Sequence, residues 1–412
     1  IVRRAGAGGR GAPGGRSSRG VSVVEQQTRD FYSPTHVIFG PGSSARTGAE
    51  TKRLGGKRAF VVTDQRVHSA GLTREPLRSL EEAGIETVIF DDCEVDPSTA
   101  TVERALDRYR EEGCDVIVCV GGGSPICLAR AVALRASNPT LSLRAMEGMN
   151  KFAVPPKPTV LVTTTTGSGS EVSPVFIITD PERMVKMNVG GHGAQATVSI
   201  LDPAMLKSLP AGQVIATGMD AITHSLEAFL SNRASLITDA LAIRSLKVLW
   251  KHIGPAAFSV NNMESRGQML LASIVSVQAS GSARLGLVHA TSDQICAFHH
   301  VSHGMSNALM LPVVMEYNLP AAPDKFVELA QATGEDVRHE ADAPEAFLMA
   351  IARFYRRMGI PTKLPEVVDP ASFDDWAQRT LDNPLYTTTI RQPGKDEIVE
   401  LYRRAKAGWS WP

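Results

Sequence analysis

The chain changes character near Pro210, and this change limits the folds that it can adopt. Between Thr35 and about Pro210, short apolar runs rich in β-branched residues alternate with helical stretches. Strands that alternate with helices predict a parallel sheet covered on both faces. After Pro210 the apolar residues recur mainly with the helical period. We therefore predict an α/β domain at 31–210 and an all-α domain at 211–412.

Two of the predicted strands run into turns of small residues. The strand 115–120 continues into Gly121-Gly-Gly-Ser124, and the strand 158–162 continues into the run Thr163–Glu171. Glycine lets a backbone approach a pyrophosphate, which a helix N-terminus then binds through its free N–H groups. The spacing is not GxGxxG, so a plain tight turn explains the first segment equally well. The second could contact phosphate and ribose hydroxyls, or could be a loop that caps a helix.

Asp64 follows the predicted strand 58–63. An acid in this position can accept a hydrogen bond from a ribose 2′-hydroxyl and repel a 2′-phosphate, which favours NAD over NADP. An aspartate that only caps a helix would occupy the same position.

Asp220 and His224 are four residues apart in a helical segment, so their side chains leave the same face. His289 and His303 follow later in the chain. One carboxylate and three imidazoles can hold a divalent transition metal and leave room for a substrate oxygen, so that the metal acts as a Lewis acid. Taken alone, the Asp–His pair is more typical of a hydrogen-bonded surface pair. We interpret His299 and His300 as supporting or loop residues.

Composition excludes several classes of function. Lys plus Arg number 43 and Asp plus Glu number 43, so no net field favours nucleic acid or an anionic membrane. No apolar run is long enough to span a bilayer. Five cysteines without a CxxC pair indicate a reducing compartment, and we expect a cytoplasmic protein. Residues 1–30 are predicted to be a disordered basic Gly/Arg-rich tail; if residues 1–20 are instead a transit peptide, an organelle matrix follows.

Read in order, these motifs resemble one family. They are Phe39–Ser43, Val62–Asp64, Gly121–Ser124, Thr164–Glu171, Asp202-Pro203, Gly218–Ala221 with His224, Leu287–His289 and His303-Gly304. From about Tyr32 to about Gly408 the chain resembles the iron-containing (group III) alcohol dehydrogenases. The resemblance implies a Rossmann-like, dinucleotide-binding N-terminal domain and a helical C-terminal domain that binds the metal and the substrate, an architecture shared with dehydroquinate synthase.

The resemblance also implies the ligands of the active site. Fe²⁺, or Zn²⁺, would be bound by Asp220, His224, His289 and His303. NAD, with NADP less expected, would contact Asp64, Gly122, Gly123, Ser124, Thr164, Thr165, Ser168 and Lys186.

The implied activity is that of an NAD(P)-dependent alcohol dehydrogenase or carbonyl reductase. It transfers a hydride between a small alcohol and the nicotinamide, and the enzyme is expected to be a homodimer or a larger homo-oligomer. The alternatives are a hydroxyacid–oxoacid transhydrogenase, a lyase or synthase on the same scaffold, and a non-catalytic assembly protein. Dehydroquinate synthase uses a different ligand set that includes a glutamate, which disfavours the synthase.

Three residues depart from the family pattern. Cys127 stands where the family usually has Asp, Arg130 where Lys is common, and Asp293 where many members have a histidine one turn after the first metal histidine. We expect Asp293 to lie near the metal without binding it, either as a proton relay or as a wall of the substrate pocket. A disulfide bond between Cys127 and Cys296 is only speculation.

Overall fold

A computed structural model describes residues 29–299 and 301–411. Nearly all of the predicted tail, and His300, therefore lie outside the described residues. Residues from Phe31 onward form one compact unit.

Nine strands lie in the described part of the chain before Asp202. They are β1 (His36–Phe39), β2 (Arg58–Val62), β3 (Glu86–Phe90), β4 (Val116–Gly121), β5 (Gly148–Met149), β6 (Thr159–Thr163), β7 (Val175–Asp180), β8 (Val185–Gly190) and β9 (Val198–Leu201). Six of them form a sheet in the order β1-β9-β6-β4-β2-β3, and every neighbouring pair is parallel. The predicted parallel sheet is confirmed.

The chain direction across this sheet reverses between β2 and β4. From β2 the chain moves outward to β3, returns to β4 on the other side of β2, and continues to β6. In an open α/β sheet, ligands bind outside the carboxyl ends of the strands at such a switch point. Asp64 and the Gly121–Ser124 turn follow the two strands that flank it.

A second, smaller sheet in the order β5-β8-β7 was not predicted. Its strands β7 and β8 pair antiparallel, with Val175 opposite Gly190. The connection between them begins with Asp180-Pro181, a dipeptide that favours a turn, and the Asp180 Oδ1 accepts a hydrogen bond from the Glu182 N–H at 3.1 Å. Met184 in this connection adopts a positive φ of 54°. Lys186 lies on β8 of this small sheet.

Fourteen α-helices complete the described chain. They are α1 (Thr47–Arg53), α2 (Gln65–Ser69), α3 (Arg74–Glu82), α4 (Thr99–Glu111), α5 (Gly123–Ser137), α6 (Ala211–Leu230), α7 (Leu236–Phe258), α8 (Met263–Ala283), α9 (Leu287–His299), α10 (His303–Asn318), α11 (Pro323–Ala332), α12 (Ala343–Met358), α13 (Phe373–Asp382) and α14 (Lys395–Ala407). The predicted helical half is confirmed, since no described residue after Leu201 lies in a strand.

Helix α10 has no polar face. Most of its residues from Gly304 to Met315 are buried, so apolar residues surround the helix instead of forming a stripe. Helix α6 is also largely buried and packs against α7, α8 and α10. The predicted ligands therefore lie on the central helices of this half.

One further property of the helices concerns membranes. Among the described residues, no single helix combines the length and apolar character needed to cross a bilayer. Only α8 and α9 taken together pass that test of length and composition, and they are bent by 109° at their junction.

Candidate active site and metal centre

Helix α6 presents two of the predicted ligands to the centre of the helical half. Asp220 and His224 are 5% and 8% exposed, and the His224 Nδ1 lies 3.8 Å from the Asp220 Oδ1. Gly218 permits this burial, because a Cβ there would lie 2.9 Å from the Met269 side chain. The predicted i, i+4 geometry is present.

Two further helices bring the remaining ligands to the same carboxylate. The Nε2 atoms of His289 and His303 lie 3.5 and 3.6 Å from the Asp220 Oδ1. His303 is the first residue of α10, and the next residue, Gly304, packs on α6 so closely that a Cβ would overlap the Ala216 carbonyl oxygen. The structure therefore gathers all four predicted residues around one oxygen atom.

The donor set fits a divalent metal. Ligand atoms of Asp220, His224 and His289 lie within 4.8 Å of one another. The His224 Nδ1 is buried without a hydrogen-bond partner in the described structure, which a buried polar atom rarely tolerates unless another group satisfies it. His303 lies at the rim of this set, with 39% of its side chain exposed. The rim position leaves one side of the set open to a substrate, as a catalytic metal site requires.

The titration of these residues also suits metal binding. Burial lowers the pKa of His224 to about 4, so this imidazole is neutral at physiological pH. Burial by itself would raise the pKa of Asp220, but His224, His303 and His289 outweigh it and hold that pKa below its usual range. A charged carboxylate and a neutral imidazole are the forms that bind metals.

Two residues that the sequence analysis missed contact the ligand set. Glu227 Oε2 lies 2.6 Å from the Nδ1 of His289. The Asn307 amide lies 2.9 Å from the Asp220 Oδ1 and 3.1 Å from the His289 Nε2. Helical spacing could have revealed both, since Glu227 is seven residues after Asp220 and Asn307 four residues after His303.

Glu227 changes the titration of His289. Burial alone would lower the pKa of His289, yet the nearby Glu227 and Asp220 carboxylates raise it to about 10. Because a proton and a metal compete for the same imidazole, metal binding must displace this proton.

The two small-residue turns meet at the carboxyl ends of β4 and β6. The Thr164 N–H donates to the Gly121 carbonyl at 3.0 Å. A Cβ on Gly122 would lie 2.8 Å from Thr165 Cγ2, and a Cβ on Gly123 would lie 3.5 Å from Ser168 Oγ. The backbone of Gly122 caps α5, so the free N–H groups of that helix face the same place. The chain that follows Thr163–Ser170 enters β7 instead of a helix, which excludes the helix-capping alternative.

The second of these turns contacts the helix that carries Asp220. A Cβ on Gly167, whose φ is 120°, would overlap the Thr217 carbonyl oxygen of α6. The Thr166 and Thr217 hydroxyls lie 3.0 Å apart, and the Gly167 N–H donates to the Ser273 hydroxyl at 2.7 Å. Thr217 is about one helical turn before Asp220, so the second turn lies close to the ligand set along α6.

Asp64 caps α2 through its Oδ1, which accepts hydrogen bonds from the Arg66 and Val67 N–H groups at 2.9 Å each. The capping alternative is therefore correct as a local interaction. In the described chain the second oxygen, Oδ2, has no hydrogen-bond partner, so capping leaves it free to accept from a ribose. The predicted NAD contact remains a prediction.

Lys186, on β8, lies near the Gly121–Ser124 turn. Its ammonium pairs with Asp96 at 2.8 Å and lies 3.5 Å from the Cys296 sulfur. The Asp96 N–H in turn lies 3.2 Å from the Ser124 hydroxyl. The structure thus connects Lys186 to the Gly121–Ser124 turn, whereas its contact with a nicotinamide ribose remains a prediction.

Two of the three departures have a structural explanation. Arg130 is buried and donates to the carbonyl oxygens of Ser170, Ser173, Val175 and Ala194, so its fork braces the chain after the second turn. Cys127 is buried and Cys296 is partly buried, and both are free thiols, so the speculative disulfide is absent.

Asp293 lies on α9 four residues after His289, as predicted from helical spacing. Its Oδ2 accepts a hydrogen bond from the Asn383 amide at 3.0 Å. It is not part of the group whose ligand atoms converge. His299 is in the last turn of α9, edge-on to Trp376, and is not a loop residue.

Comparisons with known proteins support the same interpretation. Residues 34–203 match the family Iron-containing alcohol dehydrogenase, and residues 214–406 match the C-terminal part of the Fe-containing alcohol dehydrogenase family. The chain is 35% identical over 379 residues to the NAD-dependent methanol dehydrogenase of Bacillus methanolicus, covering 91% of this chain and 99% of that protein. It is 36% identical over 381 residues to the 1,3-propanediol dehydrogenase of Citrobacter freundii, covering 91% and 98%.

The fold agrees with solved structures. A crystal structure of 1,3-propanediol oxidoreductase superposes with a TM-score of 0.89 at 34% identity, covering 92% of this chain and 100% of that one. These findings confirm the resemblance, the fold class and the predicted oxidoreductase chemistry on an alcohol group, and the family name agrees with iron as the metal. They favour a dehydrogenase over the lyase or synthase and over a non-catalytic assembly protein. This chain belongs to the iron-containing alcohol dehydrogenase family.

Proposed function

We propose that this alcohol dehydrogenase binds one metal ion per chain through Asp220, His224, His289 and His303. The observation that carries the proposal is the convergence of their ligand atoms on the Asp220 Oδ1, inside a buried group of central helices. The metal would be Fe²⁺, in agreement with the family, although carboxylate and imidazole also suit Zn²⁺. When bound, it would supply a Lewis acid for the substrate oxygen.

The chain's own residues would orient the reactants. The Gly121–Ser124 turn and the Thr164–Ser168 segment would hold the dinucleotide, and Thr217 links that segment to α6. The buried surroundings of Asp220 and His224 would exclude water from the reacting groups. Holding the cofactor and the alcohol in fixed positions is the larger part of the catalysis that a protein supplies in hydride transfer.

A metal analysis of single variants tests the ligand set. His289→Ala and His303→Ala should lose the metal, because each removes one donor from a four-residue set. His252→Ala is the matched control, since His252 lies on α7 with its Nδ1 3.0 Å from the Ser265 hydroxyl, and it should retain the metal. Full metal occupancy in His303→Ala would remove that residue from the proposed set.

We also infer a preference for NAD over NADP. Asp64 follows β2 at the switch point of the sheet, and its free oxygen would accept from a ribose hydroxyl and repel a 2′-phosphate. Asp64→Gly should reduce the ratio of kcat/KM for NAD to kcat/KM for NADP. A wild-type enzyme with the higher kcat/KM for NADPH would contradict the assignment.

The substrate is inferred to be a small alcohol or its aldehyde, because the relatives are named for methanol and 1,3-propanediol. A panel of alcohols and aldehydes, assayed by NADH absorbance on metal-reconstituted protein, would identify it. The predicted homo-oligomer and cytoplasmic location are likewise proposals. Five free thiols support a reducing compartment, and light scattering would measure the oligomeric state.

A further inference from the structure

We propose that Glu227 is a positioning residue that fixes the tautomer and orientation of His289 for metal binding. The proposal rests on the metal site proposed above and adds a residue to it. Glu227 would not touch the metal, the substrate or the cofactor, and would act only through His289.

The contacts of Glu227 account for both of its oxygen atoms. Oε2 lies 2.6 Å from the His289 Nδ1, and Oε1 accepts a hydrogen bond from the Val288 N–H at 2.5 Å. The side chains of Glu227 and His289 are 4% and 3% exposed, so water does not compete for these bonds. The carboxylate is thus held from two sides, by the ring and by the backbone next to it.

These contacts determine which ring nitrogen can bind a metal. A carboxylate can only accept, so the His289 Nδ1 must carry the proton that it donates to Glu227. The neutral ring then keeps its lone pair on Nε2, which lies 3.5 Å from the Asp220 Oδ1 and faces the ligand set. A carboxylate in this relation to a ligating histidine fixes the ring and raises its basicity as a ligand.

The helix that carries the ligands also carries the positioning carboxylate. Asp220, His224 and Glu227 are at positions i, i+4 and i+7 of α6, which share one face. Gly286 lets the start of α9 approach, because a Cβ there would lie 3.2 Å from the Glu227 Oε1. Helix α6 and the contact between Glu227 and His289 therefore link Asp220 to His289.

Glu227 is not itself a ligand in this arrangement. It lies on the Nδ1 side of the His289 ring, whereas the other ligand atoms lie on the Nε2 side. A purely structural tie between α6 and α9 is the remaining alternative, and it predicts a loss of stability with an unchanged metal affinity.

The test measures the affinity of the full chain for Zn²⁺ by competition with a chelator at fixed pH. Glu227→Gln replaces one acceptor oxygen by a donor, so it cannot accept from both Nδ1 and the Val288 N–H. We expect the dissociation constant for Zn²⁺ to rise about 10–100-fold. Glu50→Gln is the control, because Glu50 is equally buried and paired with Arg46 and Arg53 but contacts none of the proposed ligands. It should lower the melting temperature and leave the affinity unchanged.

A double variant separates the positioning role from the alternatives. If Glu227 acts through His289, adding Glu227→Gln to His289→Ala should cause no further loss of affinity. An equal loss in both backgrounds would overturn the proposal. If His289→Ala itself kept the full affinity, the proposed ligand set would fail. If His289→Ala weakened binding but Glu227→Gln left the dissociation constant unchanged, only the role of Glu227 would fail.

A spectroscopic measurement keeps the proposal testable if Glu227→Gln does not fold. In wild-type protein labelled with ¹⁵N in its histidine rings and loaded with Zn²⁺, the His289 Nδ1 should carry the proton. A protonated Nε2 with Nδ1 bound to the metal would overturn the proposal.

Discussion

The turns after β4 and β6 consist of glycine and small hydroxyl residues, whereas the set on α6, α9 and α10 consists of large ionisable side chains. On the proposed cofactor side, a glycine lets the two turns approach closely, as at Gly122, where a Cβ would lie 2.8 Å from the Thr165 Cγ2. On the metal side, three buried helices carry side chains to one carboxylate oxygen. Backbone sites therefore depend on the absence of a Cβ, and side-chain sites depend on the angle and distance between helices.

The difference extends to two buried carboxylates. Asp220 is surrounded by imidazoles that hold its pKa below the usual range. Glu171, at the end of the second turn, is equally buried, and burial raises its pKa to about 7, opposed by a backbone hydrogen bond and by Arg130. The metal side compensates its buried charge more completely than the cofactor side does.

The largest effect should come from Gly304→Ala on the metal side. The new Cβ would overlap the Ala216 carbonyl oxygen and press on the Asp220 side chain, so α10 must move away and carry His303 with it. We expect kcat/KM to fall by about 100-fold, as for a misplacement of about 1 Å, together with a lower metal content. Gly212→Ala is the control, because a Cβ there meets nothing within 4 Å. A Gly304→Ala enzyme with normal metal content and activity would show that this close packing does not position His303.

Glu171→Gln tests the carboxylate on the cofactor side. The pKa of Glu171 is higher in the folded than in the unfolded chain, so the folded state binds more protons between about pH 4.5 and 7 and loses stability as the pH rises through that window. Glu171→Gln lacks this titration. The free energy of unfolding of the variant minus that of wild type should therefore be roughly 2 kcal/mol larger at pH 8 than at pH 5. Denaturant titrations at both values measure the change. Glu50→Gln, which removes a carboxylate whose pKa is lowered, should show no such gain.

Gly122→Ala should affect the cofactor and spare the metal. Its Cβ would press on the Thr165 methyl group at 2.8 Å and separate the two turns. We expect the KM for NAD to rise by about ten-fold, which corresponds to about 1.4 kcal/mol of binding, with an unchanged metal content. Adding Thr165→Ser removes the methyl group but keeps the hydroxyl, and should recover part of the loss. Failure of this rescue would mean that Gly122 is required for another reason.

The smallest effect is expected at Asp293, which is four residues after His289 on α9. If this residue shapes the pocket, Asp293→His should retain activity and change the relative kcat/KM among alcohols by a few-fold. Such a change corresponds to about 1 kcal/mol, the energy of roughly one contact in the substrate pocket. If it relays protons, Asp293→Asn should lower kcat strongly and keep the metal. Loss of metal in Asp293→Asn would make it a ligand and contradict both roles.

Much of this molecule could be predicted from short-range patterns. The alternation of strands and helices before Pro210 predicted the parallel sheet, because period and turn chemistry are local properties. The pair Asp220 and His224 was visible because a helix fixes the relation of residues four apart. The ordered motifs then identified the family. The small sheet of β5, β8 and β7 was not predicted, because the short strand β5 and its pairing with β8 leave little local periodicity.

What only the tertiary structure decided is how distant segments meet. Nothing local places His289 beside Asp220, or puts Thr217 against Gly167; these contacts depend on the packing of α6 with α9 and with the second turn. Glu227 has ordinary spacing on its helix, and its role follows only from the ring of His289, 62 positions away in the chain. The sequence determines the chemistry of each side chain, but the packing of the helices determines which group lies beside a buried charge.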